Sequence, residues 1–337
     1  MTQSPSNEAD KNLRVAVLGS GAWGTALACV SARNGYHTKL WGRNTKSLDE
    51  INTEHKNSKY LPDINLPKEI IASGNLNETL SDIDILLMVT PAQTIQSVSE
   101  TICTIIDPKV PIVVCAKGID RQTGLLPAET LAQHLKGNPI AALSGPSFAS
   151  DVANNLPTAV TLACDNKNIA MILAVQLSGP AFRVYASDDL KGVELGGALK
   201  NVIALAIGVC RGLNLGASAE AALIARGFAE LNRLAIALGA KPETLMGLSG
   251  LGDLVLTCSS PQSRNFAYGM ALGRSDDTSN LPLAEGALTA SIALALAQKH
   301  GIDCPIIKTV VTLLDGTITA GEAVTALLSR PLKTESE

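Results

Sequence analysis

Lys200 stands in the stretch Leu195-Gly196-Gly197-Ala198-Leu199-Lys200-Asn201-Val202-Ile203, and between Glu194 and Arg211 it is the only charged side chain. An ammonium group in apolar surroundings is costly unless it is paired or gives up its proton, and desolvation favours the neutral amine, which is a general base. On a helix Gly196 and Gly197 lie at i−4 and i−3, on the face toward which the lysine leans, so the pattern predicts a shelf without side chains and room there for a ligand. The other reading of the same residues is a lysine that reaches water beside two glycines used for close helix packing. Three further groups could join this chemistry. Asp253 and Thr257 share a helix face after the glycine-rich turn Leu248-Ser249-Gly250-Leu251-Gly252, where they could hydrogen-bond the amine or a substrate hydroxyl, although an Asp in a first turn also simply suits the helix dipole. Lys117 follows the apolar run Pro111 to Ala116 directly and is either a strand-end lysine in solvent or an ammonium aimed at a ligand. In Ser259-Ser260-Pro261-Gln262-Ser263-Arg264-Asn265, Ser260 is the expected N-cap and Pro261 the first helical residue. Arg264 then opposes the macrodipole from the first turn. A docked phosphate would remove that conflict, with Ser263, Arg264 and Asn265 supplying a hydroxyl, a guanidinium and an amide.

These groups need a scaffold, and the first element of one is Arg14-Val15-Ala16-Val17-Leu18-Gly19-Ser20-Gly21-Ala22-Trp23-Gly24. An apolar strand, a glycine turn and a following helix make a dinucleotide cradle: Gly19 permits the turn, Gly21 lets backbone approach a pyrophosphate, and Gly24 allows close helix packing. The second strand, His37 to Trp41, ends in Gly42-Arg43-Asn44. Where an Asp or Glu would bind a ribose 2′-hydroxyl there is an Arg, which accommodates a 2′-phosphate, so the cofactor is NADP or NAD, with NADP favoured. Further strands at Ile83 to Val89, Pro111 to Ala116, Ile140 to Leu143, Leu156 to Ala163 and Phe182 to Tyr185 alternate with helical sequence. The expected fold class is therefore α/β, a Rossmann-type doubly wound parallel sheet with a second, all-helical domain. The predicted division is a disordered tail over 1–12, a dinucleotide-binding domain over 13–187, a helical substrate and catalytic domain over 188–330, and a tail over 331–337.

The chain has 337 residues, 46% hydrophobic and 17% charged, with a formal charge of −4. That balance gives no reason to expect nucleic acid, and it means that an anionic substrate must be drawn by local cations. Seven cysteines without a C-x-x-C pair lie mostly in apolar segments, as reduced core thiols do, which points to the cytoplasm. The polar first residues lack a signal-peptide core, Leu195 to Cys210 is short for a bilayer span, and no spacing predicts a metal site. The apolar helical half suggests a homodimer.

Six motifs, taken in order, resemble the bacterial NAD(P)-dependent sn-glycerol-3-phosphate dehydrogenase family: Gly19-Ser20-Gly21-Ala22-Trp23-Gly24-Thr25-Ala26-Leu27-Ala28, Lys117-Gly118, Ser144-Gly145-Pro146-Ser147-Phe148-Ala149, Leu199-Lys200-Asn201, Gly250-Leu251-Gly252-Asp253-Leu254 and Gln262-Ser263-Arg264-Asn265. The resemblance runs in order over nearly the whole chain, from Arg14 to about Pro305. The resemblance implies reversible hydride transfer between NAD(P)H and dihydroxyacetone phosphate, giving sn-glycerol 3-phosphate for phospholipid synthesis. It implies that Lys200 is the acid/base group, with Lys117, Asn201, Asp253 and Thr257 around the reacting carbon. It gives the substrate phosphate to Ser263, Arg264 and Asn265, aided by Gly145 and Ser147. Ala22, Trp23, Arg43, Ala149, Leu283 and Glu285 would touch the cofactor beside the three glycines, as would Lys117 and Arg264. Rival readings are a 3-hydroxyacid or 6-phosphogluconate type dehydrogenase, which would need a carboxylate pocket, and a non-catalytic dinucleotide-binding regulator, which would have no use for a desolvated amine. Arg43→Ala is expected to raise the KM for NADP and to leave that for NAD nearly unchanged; steady-state kinetics with both cofactors check this.

Overall fold

The run Arg14–Leu18 forms strand β1, and its period of two sorts side chains onto both faces of a sheet: Val15 and Val17 enter one hydrophobic cluster, Ala16 and Leu18 another. The structure is a computed structural model and describes residues 12–282 and 284–329. The other strands are β2 (His37–Trp41), β3 (Ile70–Ser73), β4 (Ile85–Met88), β5 (Ile112–Val114), β6 (Ile140–Ser144), β7 (Thr158–Ala163) and β8 (Phe182–Ser187), in the order β3-β2-β1-β4-β5-β6-β7-β8. Neighbours from β3 to β6 are parallel, β7 runs antiparallel to β6, and β8 is parallel to β7. Because β4 and β5 repeat the split of β1 between the two clusters, the sheet is buried on both sides, as the expected α/β fold requires. Strand β3 was not foreseen: four residues are too few for alternation to announce a strand. The helices of this unit are α1 (Ala22–Arg33), α2 (Thr45–Glu54), α3 (Leu76–Leu80), α4 (Ile95–Ile102), α5 (Pro127–His134), α6 (Ala149–Ala153) and α7 (Lys167–Leu177). Strand order reverses between β1 and β4, and ligands of such sheets gather beyond the strand ends at that point.

The second unit is helical: α8 (Leu190–Gly212), whose first turn still belongs to the sheet unit, then α9 (Ala217–Ala237), α10 (Pro242–Leu245), α11 (Asp253–Ser259), α12 (Arg264–Arg274), α13 (Glu285–Lys299), α14 (Pro305–Leu314) and α15 (Ala320–Leu328). Asp189 caps α8 by accepting from the Gly192 N–H at 2.9 Å. By length and composition α8 could cross a membrane, and it is longer than the apolar stretch alone suggests, yet it is almost wholly buried as the central helix of this unit. Its C-terminal half meets α12 backbone to backbone, since a methyl group on Gly208 would lie 3.0 Å from the Gly269 Cα and one on Gly212 3.0 Å from the Gly273 Cα. Glu230 on α9 accepts from the N–H groups of Ile306 (2.8 Å) and Ile307 (3.2 Å) and so satisfies the start of α14.

The compact units do not follow the chain linearly. The sheet unit runs to Ala116 and resumes over Pro127–Val193, while Lys117–Leu126 belongs with the helices from Glu194 onward. Ile119 and Leu126 explain the detour, because both are buried in the hydrophobic cluster built by α8, α9, α13 and α14. Truncating such a side chain removes transfer energy and leaves a cavity. Ile119→Ala is expected to cost about 3 kcal/mol in a denaturant titration.

Candidate active site

The Lys200 side chain is buried, the residue being 4% exposed, and its ammonium donates to Asp253 Oδ1 and to Thr257 Oγ1, each at 2.5 Å. The second oxygen of Asp253 accepts from Lys117 Nζ at 2.6 Å. Four residues that the sequence scatters over 140 positions thus form one cluster within the helical unit, Lys117 arriving on the segment Lys117–Leu126. Burial depresses the Lys200 pKa most strongly; Asp253 opposes this, Lys117 adds to it, and the outcome is about 8. For Asp253, burial alone would raise the pKa, and the two lysines outweigh it and hold the carboxyl below its usual range. Burial pushes the neighbouring Cys258 thiol up to about 12, so it stays neutral. An ammonium has three donors. Two are committed here, and the third is available to a substrate oxygen.

The elements around the lysine correct the Gly196 part of the expected shelf. A methyl group on Gly196 would lie 2.8 Å from the Ser249 carbonyl oxygen and 3.3 Å from the Gly250 Cα, so the space at Gly196 is taken by backbone rather than kept for a ligand. The glycine-rich segment is not a simple turn but a π-helical one, Leu248–Gly252, in which the Gly252 N–H donates to the Gly247 carbonyl at 3.1 Å. Its close approach to α8 brings Asp253, the first residue of α11, to Lys200. Asn201, next on α8, is buried as well.

A second correction concerns α12. Its N-cap is Ser263 and not Ser260: the Ser263 hydroxyl accepts from the Phe266 N–H at 3.3 Å, and Ser260 to Ser263 close a preceding turn. Two serines three residues apart compete for the cap, and Pro261 sits in the turn rather than in the helix. Arg264 becomes the first helical residue and is exposed, with no acidic side chain in its turn. Asn265 is buried, and its Oδ1 accepts from the Gly286 N–H at 2.8 Å. Glu285, the first residue of α13, is half-buried; burial raises its pKa against the pull of Arg264, Lys117 and Lys200.

In the sheet unit the glycine cradle fits a pyrophosphate. Gly19 has φ +124°, and a methyl group there would lie 2.9 Å from the Val89 carbonyl; one on Gly24 would strike the Gly19 carbonyl; one on Gly21 would meet nothing within 4 Å. Helix α1 has no side-chain cap and no acidic residue in its first turn, which leaves its leading N–H groups to a ligand. Ala22 and Trp23 form that turn, and the buried Trp23 indole N–H has no hydrogen-bond partner among the described residues. Arg43 is exposed two residues past Trp41, whose carbonyl accepts from the Gly19 N–H at 3.0 Å. Gly145 has φ +150°, and a methyl group there would lie 2.8 Å from the Val160 Cα; Ser147 donates to the Gly145 carbonyl at 3.0 Å, and Ala149 starts α6. Leu283 lies outside the described residues.

Residues 14–170 match the family model described as the N-terminus of NAD-dependent glycerol-3-phosphate dehydrogenase, and residues 189–325 match the one for its C-terminus. The chain belongs to the NAD-dependent glycerol-3-phosphate dehydrogenase family. It is similar to the glycerol-3-phosphate dehydrogenase (NAD(P)+) of Brucella canis, 56% identical over 96% of this chain and 99% of that protein. To the Chelativorans enzyme of the same name it is 53% identical over 95% of this chain and 98% of that one. Among solved structures, glycerol-3-phosphate dehydrogenase from Coxiella burnetii superposes with a TM-score of 0.90 at 41% identity, covering 95% of this chain and 100% of that chain. In this member of the family, the residue pattern did not single out Gly286, nor the π-helical form of the glycine-rich turn. A glycine directly after a half-buried glutamate and five residues (Leu248–Gly252) with two glycines were the available signals.

Asp253 accepts from Lys200, and its pull offsets the burial of the amine. In Asp253→Asn the largest opposition to burial and to Lys117 is lost, so the Lys200 amine is expected to titrate below 8, which nitrogen NMR of the lysine Nζ reads directly.

Proposed function

We propose that this chain transfers a hydride reversibly between NAD(P)H and dihydroxyacetone phosphate, yielding sn-glycerol 3-phosphate for glycerophospholipid synthesis. The observation that carries the reading is the Lys200 amine, withdrawn from water, held by Asp253 and Thr257, and brought by burial to a pKa of about 8. A nicotinamide held by the sheet unit's cradle would supply or accept the hydride. Lys200 provides the proton: as ammonium it donates to the carbonyl oxygen that becomes the hydroxyl, and as amine it takes that proton back. Asp253 keeps the ammonium accessible despite burial, and Thr257 fixes its direction. Lys117 and Asn201 complete the surroundings of the reacting carbon.

Ser263, Arg264 and Asn265 hold the substrate phosphate, and the Ser263 cap supports this, because accepting from Phe266 leaves its own O–H free to donate. Binding energy from this remote handle orients the carbon that reacts. Gly19, Gly21 and Gly24 with Ala22 and Trp23 hold the dinucleotide, Arg43 favours a 2′-phosphate, and Ala149, Leu283, Glu285, Lys117 and Arg264 are further cofactor contacts. Gly145 and Ser147 belong to the sheet unit, and their part in holding phosphate rests on the family resemblance. Functionally the chain divides into a dinucleotide-binding part over 13–187 and a helical catalytic part over 188–330. Its seven free cysteines, six of them buried, suit a cytoplasmic enzyme, and it acts as a homodimer, which light scattering would test.

Lys200→Met is expected to lower turnover by about 10³-fold while cofactor affinity, read by nucleotide fluorescence titration, stays within about twofold. Retained turnover would refute the assignment. The wild-type pH profile carries the sign of the same role: reduction, which needs the ammonium, declines as pH rises through 8, and oxidation, which needs the amine, increases over the same range.

A further inference from the structure

Helix α13 begins where two others are already crowded. A methyl group on Gly286 would strike the backbone carbonyl of Asn201, the residue after Lys200, and would come within 3.0 Å of Asn265 Oδ1, the residue after Arg264. The Gly286 N–H, one of the orphan donors of a helix start, donates to that same Oδ1 at 2.8 Å. A backbone N–H can face only an acceptor, so the Asn265 amide has a single orientation: its oxygen is committed to Gly286 and its NH₂ group faces away from it. Asn265 is 9% exposed, yet its Nδ2 has no hydrogen-bond partner among the described residues. Two donors are thus left open beside the Ser263 cap and Arg264.

We propose that Gly286 is a positioning residue for substrate binding: by holding Asn265 Oδ1 it fixes the amide so that Nδ2 donates to the substrate phosphate, and by lacking a side chain it lets α13 close on Asn201 at the same time. The inference rests on the phosphate role proposed above for Asn265. It explains why a glycine follows Glu285 at a helix start, where a side chain would push α13 away from both Asn201 and Asn265. The role acts through Asn265 and not through contact with the reacting atoms.

Two variants test it in the full-length enzyme. Gly286→Ala forces α13 away from Asn265, and Asn265→Asp keeps an acceptor for Gly286 while replacing the NH₂ donors with an oxygen. Both are expected to raise the KM for dihydroxyacetone phosphate about tenfold or more, with any fall in kcat at saturating substrate smaller than the rise in KM. A purely structural role would instead lower kcat or active enzyme and leave KM alone, and that outcome, or unchanged kinetics in either variant, overturns the inference. If Gly286→Ala does not fold, Asn265→Asp decides, being nearly isosteric. A wild-type enzyme that fails to reduce dihydroxyacetone phosphate at all would refute the proposed function instead, so the two failures are distinct.

Discussion

Two lysines share one carboxylate. Asp253 accepts from Lys117 through one oxygen and from Lys200 through the other, in surroundings from which water is nearly excluded. Burial lowers the pKa of Lys200 and would raise that of Asp253; the charges reverse the second effect and limit the first. The result is a carboxylate that stays ionised beside an amine that changes state near neutrality. Each nearby structural feature serves this balance. Gly196 allows the π-helical turn to approach, that turn starts α11 at Asp253, one helical turn later Thr257 faces the same ammonium, and the segment after β5 delivers the second lysine.

The other half of the chemistry depends on spacing between helices. The lysine lies in the N-terminal half of α8, and the phosphate candidates lie at the start of α12. The facing glycines 208, 212, 269 and 273 reduce the separation of these helices to backbone contact, which leaves little freedom for either to slide. Rigid elements hold a base and a binding handle at fixed separation better than loops do. The sheet unit uses the same device at Gly19 and Gly24, where absent side chains let a strand, a turn and a helix come together.

Much of this was legible in the residues. An isolated lysine in an apolar helix, an Asp and a Thr four apart, and a glycine-punctuated strand-helix turn each have few physical explanations, and the structure gathers the first three side chains as hydrogen-bonded partners. What could not be read was the identity of the neighbour. A glycine announces that something comes close without saying what, so the space beside Gly196 looked like ligand room and is filled by the Ser249 carbonyl. Local rules also left ties that only packing breaks, as between Ser260 and Ser263 for the cap of α12. Strand β3 was too short to show a period, and nothing local in Lys117–Leu126 indicates that Ile119 and Leu126 are core residues of the helical unit.

That segment bears on how the protein is built up in time. In a chain made from its N-terminus, Ile119 and Leu126 are present before any helix from α8 onward exists to bury them. The helical unit, for its part, is not encoded by one continuous stretch: a gene cut at Val193 and Glu194 would leave its core short of two residues and its lysine pair short of one member. Exchange of whole units between relatives must therefore carry this internal segment along with the C-terminal half.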